Sequence, residues 1–364
     1  MKIFTAFLML ALLVGVSSGA ILKVASDGTQ PYSQIQDAVT ASSAGDTVLI
    51  MAGGYTGFTV DKKLVIIGAG TGEGIGEGVL VAGIVTVLDA ADSTELRSFS
   101  IRGATAHASS DSLASILRIR SGANRIFVWR CFIENNSASN HKAFIWASNN
   151  TSVDIVQSTL WNSSGTVSDY SYGLMQRTPS TVTLTSCAFV NLHYGCYRYG
   201  TNTGASLMAR HCLFTCTGTT TQTPFYTEAA GVAENCAFIT NSTTQTYSAP
   251  NMSYNYCAYT VSSPPGATHT VTTTAAFVNM LYANARTSDF HLAAGSNLID
   301  AGNPGSPDDL DGSRADISIY GGQHPYVDGG VPDYPFAVQI EVPYSAPLNG
   351  TMRIWGRGRV GPGY

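Results

Sequence analysis

Charge is scarce in this chain. Asp, Glu, Lys and Arg make up 12% of its residues, about half the share usual in soluble proteins. There is no basic run and the net charge is −5, which excludes the phosphate-neutralising surface that nucleic-acid binding requires. Carboxylates are rarest in the middle, where Asp154 and Asp169 are the only aspartates between positions 112 and 288. After the first 20 residues no apolar run is long enough to span a bilayer. The lack of charge does not signal disorder, because hydrophobic residues reach 44%. Ser, Thr, Asn and Gly fill the gap, and β-branched Thr suits the pleated surface of stacked strands.

The chain opens with MKIFTAFLMLALLVGVSSGA. One lysine precedes an apolar run from Ile3 to Val16, and Ser18 and Ala20 fit the −3 and −1 sites of a signal peptidase. This pattern predicts a secretory signal over 1–20 and a mature protein starting near Ile21, secreted or held at the cell surface. No membrane span remains after signal removal. An uncleaved anchor is the other reading, opposed by the shortness of the run.

Cysteine recurs in one phrase. In TLTSCAFVN, Cys187 has Leu184 three residues before it, Val182 five before and Phe189 two after. The same pattern surrounds Cys131, Cys212, Cys236 and Cys257. Phe99 takes the cysteine's place in ELRSFSI, Thr159 in VQSTLW, and Ile67 in an earlier copy. Successive anchors lie 32 residues apart at the start and 21 at the end. Periods in this range mark stacked repeats. Within each copy, alternation predicts a strand and the two-residue slip a tight corner. A third short strand fits at 143–147, 172–176 and 194–199. Three strands per turn describe an all-β, right-handed parallel β-helix.

The anchors point inward and stack. Parallel neighbours sit about 4.8 Å apart, whereas a disulfide needs Cβ atoms about 3.8 Å apart and a near-perpendicular torsion. The cysteines are therefore expected to be mostly reduced and buried. Cys196 and Cys216 lie outside the column and are the candidates for exceptions. A strip one residue past each anchor (Ser100, Phe132, Leu160, Ala188, Leu213, Ala237, Ala258) should face outward yet is largely apolar, so something is expected to cover it. At the N-terminus, Ile35, Ala38 and Val39 share one face of a short capping helix.

The segment ILKVASDGTQPYSQIQDAVTASSAGDTVLIMAGGYTGFTVDKKLVIIGAG resembles the opening of proteins in the pectate lyase-like superfamily. In those proteins an IQDAI…AGDTV…PG.Y stretch leads into the first rungs. SDFHLAAGSNLIDAGNPGSPDDLDGSRADISIYGG resembles the closing segment of secreted bacterial right-handed β-helix repeat proteins. The expected organisation is a signal peptide (1–20), a cap and first rung (21–60), the β-helix (61–285), a closing segment (286–324) and a C-terminal β-hairpin appendage (325–364). The hairpin is signalled by Asn349-Gly350 between two alternating runs.

The resemblance specifies fold but not activity. Calcium-dependent pectate lyases carry W-[IV]-D-H-C at an anchor. The matching stretch here is VWRC, with Trp129 and Arg130 and no carboxylate. Among the other positions two before an anchor, only Glu234 could bind calcium, and one carboxylate does not satisfy an ion that takes six to eight oxygens. The Asn-Thr-Asp and Gly-His-Gly triplets of polygalacturonases do not occur, nor do two stacked carboxylates for glycosidic acid–base work. The remaining catalytic candidates are Glu234, Arg210 and His211. No cofactor is expected, with calcium possible at Asp308, Asp309, Asp311 and Asp316, although a structural turn capped by these aspartates fits as well. Trp146, Tyr197, Arg198 and Tyr199 on the third strand are candidates for carbohydrate contact, since aromatic rings beside polar groups suit sugar faces. The function expected is that of a noncatalytic secreted or cell-surface β-helix contacting extracellular polysaccharide or other surfaces. The alternative is a divergent polysaccharide lyase or glycoside hydrolase acting on acidic polysaccharide.

Overall fold

The computed structural model describes residues 19–72, 78–103, 115–136, 142–163, 171–198, 204–217, 221–242, 244–273, 276–281, 284–330, 336–341 and 355–359. Residues 1–18, Tyr199 and Asn349-Gly350 lie outside them. The chain winds as a parallel β-helix with three faces.

The first face is a ten-stranded sheet in which every neighbouring pair is parallel and follows chain order. Its register aligns Ile66, Leu96, Val128, Ile155, Leu184, Ala209, Ala233 and Tyr254 in one inward column. All of these are buried. Such ranks of like side chains allow hydrophobic burial on every turn of the coil.

The second face runs from Ser100–Gly103 through Phe132–Asn135, Thr159–Asn162, Ala188–Val190, Leu213–Cys216 and Ala237–Thr240 to Ala258–Tyr259. The third is built from Ser115–Ile119, Lys142–Ala147, Ser171–Gln176, Tyr194–Arg198 and Thr223–Tyr226. The long strand Val79–Val87 joins the two faces, pairing with Ser100–Gly103 near one end and Ser115–Ile119 near the other. It bends at Gly83, whose φ of 129° a side chain would oppose. Inside, Phe189, Phe214, Phe238 and Tyr259 stack in sequence, with centroid steps of 4.7, 5.2 and 5.3 Å.

A single left-handed residue turns the corner between the first two faces on each rung. Ser98, Arg130, Gln157, Ser186, His211, Asn235 and Tyr256 all have φ between 50° and 60°. This column corrects two registers. The inward anchor of VQSTLW is Ser158, because Gln157 is the corner and Thr159 pairs with Phe132 and Ala188 in the outward strip. Ile155 and Leu160 fill the interior, while Trp161 packs outside against Phe132 at 6.0 Å. Ile67 pairs with outward Arg97, and the inward neighbour there is Ile66.

All seven cysteines are free and buried, Cys196 and Cys216 among them. Burial pushes the Cys131 thiol up to about 12. The thiols lie against carbonyls, as Cys187 Sγ does at 3.2 Å from Ile155 O.

The helix Ile35–Ala41 caps the first turns and buries Ile35, Ala38 and Val39. The closing segment lies along the flank of the coil. The described residues of 276–330 fold back over the second face as a strap. Ala276, Phe290, Leu298, Ile317 and Ile319 pack on Phe132, Trp161, Ala188, Leu213, Ala237 and Ala258, which covers the apolar outer strip. The strap then runs toward the N-terminal rungs. Asn303 N donates to Asn235 Oδ1 (2.7 Å), Tyr326 OH meets Thr159 Oγ1 (2.7 Å), and Thr71 N donates to Gly329 O (2.8 Å). Arg286 extends from it to Glu134 (3.5 Å), which also takes Arg102 (2.8 Å) and the Ser163 hydroxyl (2.7 Å). Beyond the strap, Phe336–Glu341 and Trp355–Arg359 pair antiparallel as a two-stranded appendage. Among the described residues no helix is long and apolar enough to cross a membrane.

Candidate functional site

Glu234, Arg210 and His211 do come together, but the strap engages them. Glu234 Oε2 accepts from Asn303 Nδ2 at 2.7 Å and Oε1 from Ser306 Oγ at 3.0 Å. Arg210 Nε stands 3.8 Å from Glu234 Oε1. His211 occupies a left-handed corner and is buried. Its Nδ1 meets Asp316 O at 3.1 Å and its Nε2 meets Asn235 Nδ2 at 3.2 Å. Gly321 and Gly322 lie so close that a Cβ on either would come within 2.8 Å of the ring. Desolvation lowers the His211 pKa to about 4, against a smaller opposing effect of its carbonyl partner. Glu234 and His211 hold the strap to the corner, while Arg210 stays exposed beside Glu234.

The aspartates of 308–316 have backbone partners. Asp309 accepts from the amides of Asp316 (2.9 Å) and Gly322. Asp311 Oδ1 accepts from Ser313 N (2.9 Å) and Oγ (2.7 Å), and Asp316 Oδ1 accepts from Asp300 N (2.8 Å). These are turn-capping roles. Asp308 contributes its carbonyl, to Gln323 Nε2. Among the described residues no three potential metal ligands converge.

The third face presents a different arrangement. Its register stacks Trp146, Met175, Tyr197 and Tyr226 in one outward column. Trp146, expected to be exposed, is buried at 3% in a cluster with Ala143, Tyr172 and Met175, flanked by Tyr194 and Tyr197. Tyr197 is half-buried and sits among Tyr172 (4.4 Å), Tyr194 (4.9 Å) and Tyr226 (5.1 Å). Tyr197 and Tyr226 are stacked with nearly parallel planes, at 12°. The next rung pairs Tyr226 with Ser248, an exposed and small residue. The column of large side chains therefore stops at Tyr226.

Polar groups surround this end of the column. The Arg198 guanidinium lies 5.3 Å from the Tyr226 centroid and ion-pairs with Glu228. Both charged side chains are partly exposed. Asn251 Nδ2 donates to Glu228 O at 2.9 Å. Tyr226 and Glu228 escaped the sequence reading. The signal that could have found them is TPFY, a further copy of the third strand whose proline hides the repeat. A ring beside a guanidinium that is itself paired with a carboxylate can take an amphipathic ligand and hydrogen-bond its rim.

A coil with stacked interior ranks and a polar-rimmed aromatic column outside places the molecule among the parallel β-helix proteins. No protein-family profile and no curated protein sequence matches the chain. Solved structures with the same winding do. A pectate lyase, Pel9A, is similar over 84% of this chain and 97% of its own, with 14% identity and a TM-score of 0.43. A carrot pectin methylesterase is similar over 70% and 86%, with 16% identity and a TM-score of 0.39. A rhamnogalacturonan lyase is similar over 75% and 87%, with 11% identity and a TM-score of 0.35.

Proposed function

We propose that this protein is an extracellular β-helix that holds polysaccharide on its third face, with a sugar ring against Tyr226. The observation that carries this reading is the end of the outward column. Tyr226 is backed by Tyr197 and followed by a serine, so no large side chain of the next rung continues the column over it. Arg198, Glu228 and Asn251 supply donors and acceptors at the rim. A platform already packed from behind loses little conformational freedom on binding. Secretion belongs to the same proposal and is checked by N-terminal sequencing of protein recovered from the medium, expected to start near Ile21.

The test is glycan-array binding followed by calorimetry on the best ligand, comparing wild type with Tyr226→Ala. Loss of affinity by about tenfold or more is expected for a central aromatic contact. Equal binding by both proteins would remove the surface from consideration. Cleavage of acidic polysaccharide is a second reading, favoured by one feature: Glu228 is a partly exposed carboxylate beside the platform. It predicts unsaturated product from polygalacturonate or alginate, measured by absorbance with and without calcium, and its loss in Glu228→Gln.

A further inference from the structure

We propose that the outer side of the strap carries a binding site for a divalent transition metal of the zinc type, with His291 and Asp328 as its protein ligands. His291 lies on Asp289–Leu292. Its Nδ1 is 2.7 Å from Asp289 Oδ1. An ionised carboxylate can only accept, so in the neutral ring Nδ1 carries the proton and Nε2 keeps its lone pair. That nitrogen faces Asp328 Oδ2 at 3.9 Å, too far for a hydrogen bond. The other oxygen, Asp328 Oδ1, accepts from Tyr320 OH at 2.7 Å. With the ring neutral, two lone pairs face one gap.

The ring is held in place. It stacks on Tyr320 at 3.9 Å and 16°, and Asp289 Oδ1 also accepts the His291 amide at 3.0 Å. Zinc bonds to imidazole nitrogen and carboxylate oxygen are each about 2.0–2.2 Å. A tetrahedral angle would bring the two ligand atoms to about 3.4 Å, a closure of about half an ångström from the observed gap. Asp328 is 70% exposed, and a turn about its Tyr320 hydrogen bond would close that distance. The Asp289 contact is the arrangement by which a carboxylate fixes the tautomer of a metal-bound histidine. Imidazole selects against calcium and magnesium, which prefer all-oxygen shells. Water completes the coordination, since no third protein ligand converges among the described residues. A bound ion would join the strap's hairpin strand to Asp328, next to the residue that seats on Thr71.

The experiment uses the full mature chain, stripped with chelator and titrated by calorimetry with zinc chloride and, separately, calcium chloride. One zinc per chain is expected in wild type and none at this site in His291→Gln. Asp328→Asn should weaken binding, and Asp289→Asn should weaken it by about 10- to 100-fold, as for other residues that orient a ligand. Zinc should raise the thermal midpoint of wild type and leave that of His291→Gln unchanged. All three side chains are largely exposed, and metal-free midpoints report whether each variant folds. Equal zinc affinity in wild type and His291→Gln, unchanged affinity in Asp328→Asn, or no heat up to about 1 mM zinc would each overturn the proposal. The last result would leave a simple imidazolium–carboxylate contact.

Discussion

Replacing His211 by glutamine should make the protein more resistant to acid. The imidazole is sealed between the corner of the coil and Gly321-Gly322, with its pKa lowered from 6.5 to about 4 mainly by desolvation. Between those values the unfolded chain binds a proton that the folded chain refuses. Stability therefore falls as pH drops below 6.5 and levels off near 4. At about 1.4 kcal/mol per unit, the loss between pH 7 and 4.5 is on the order of 2–3 kcal/mol. Glutamine can accept from Asn235 and donate to Asp316 O without titrating. Asp309 acts in the opposite sense. Burial raises its pKa to about 6, so it favours the folded state as pH falls through that value. It is present in both proteins and largely cancels in the comparison. The assay is urea unfolding of wild type and His211→Gln at pH 7 and 4.5. The variant should lose less stability than wild type by that margin. Loss within about 0.5 kcal/mol of each other would mean that the ring is hydrated or protonated in the folded state, and that the strap does not seal it.

Two further predictions test the coil. Ellman's reagent at pH 8 should label fewer than one of the seven buried thiols without denaturant and all seven in guanidinium; native labelling of a majority would contradict the inward columns. Gly231→Ala should cost about 2–4 kcal/mol in urea unfolding, because a Cβ there would stand 1.7 Å from Leu207 O on the paired strand. Gly266→Ala is the control, with nothing within 4 Å and only a left-handed φ of 76° to oppose it, for about 1 kcal/mol.

The winding was legible wherever inside and outside differ in chemistry. Around Cys187, Leu184 and Phe189 can only be interior beside Thr183 and Thr185, and the rungs at Cys131, Cys212, Cys236 and Cys257 follow the same rule. VQSTLW lacks that contrast. Ile155 with Leu160, or Val156 with Trp161, would each fill the coil. The choice is made by the left-handed backbone at Gln157, which no glycine announces. Trp146 was misplaced for a related reason: alternation shows that a side chain leaves the coil, but not whether neighbouring rungs then bury it. Here Tyr172 and Met175 do.

The surroundings of Glu234 and His211 have a longer-range cause. The corner residues with φ near 50° meet one another and also meet the strap. Here Asn235 meets Asn303, His211 meets Asp316, Gln157 meets Pro325, and Tyr256 lies under Arg314 at 5.5 Å. The outward apolar strip signals that something covers this face, yet nothing local in sequence says that residues 276–330 are the cover. A histidine between an arginine and a glutamate on a β-helix suggests proton transfer only if that corner is open. Where another segment runs over it, the histidine and the glutamate become fasteners of that segment, and burial that depresses the histidine's pKa is a consequence of fastening. The acid-stability comparison of His211→Gln separates these cases, since a solvent-facing catalytic histidine would leave the folding free energy nearly independent of the substitution across the same range.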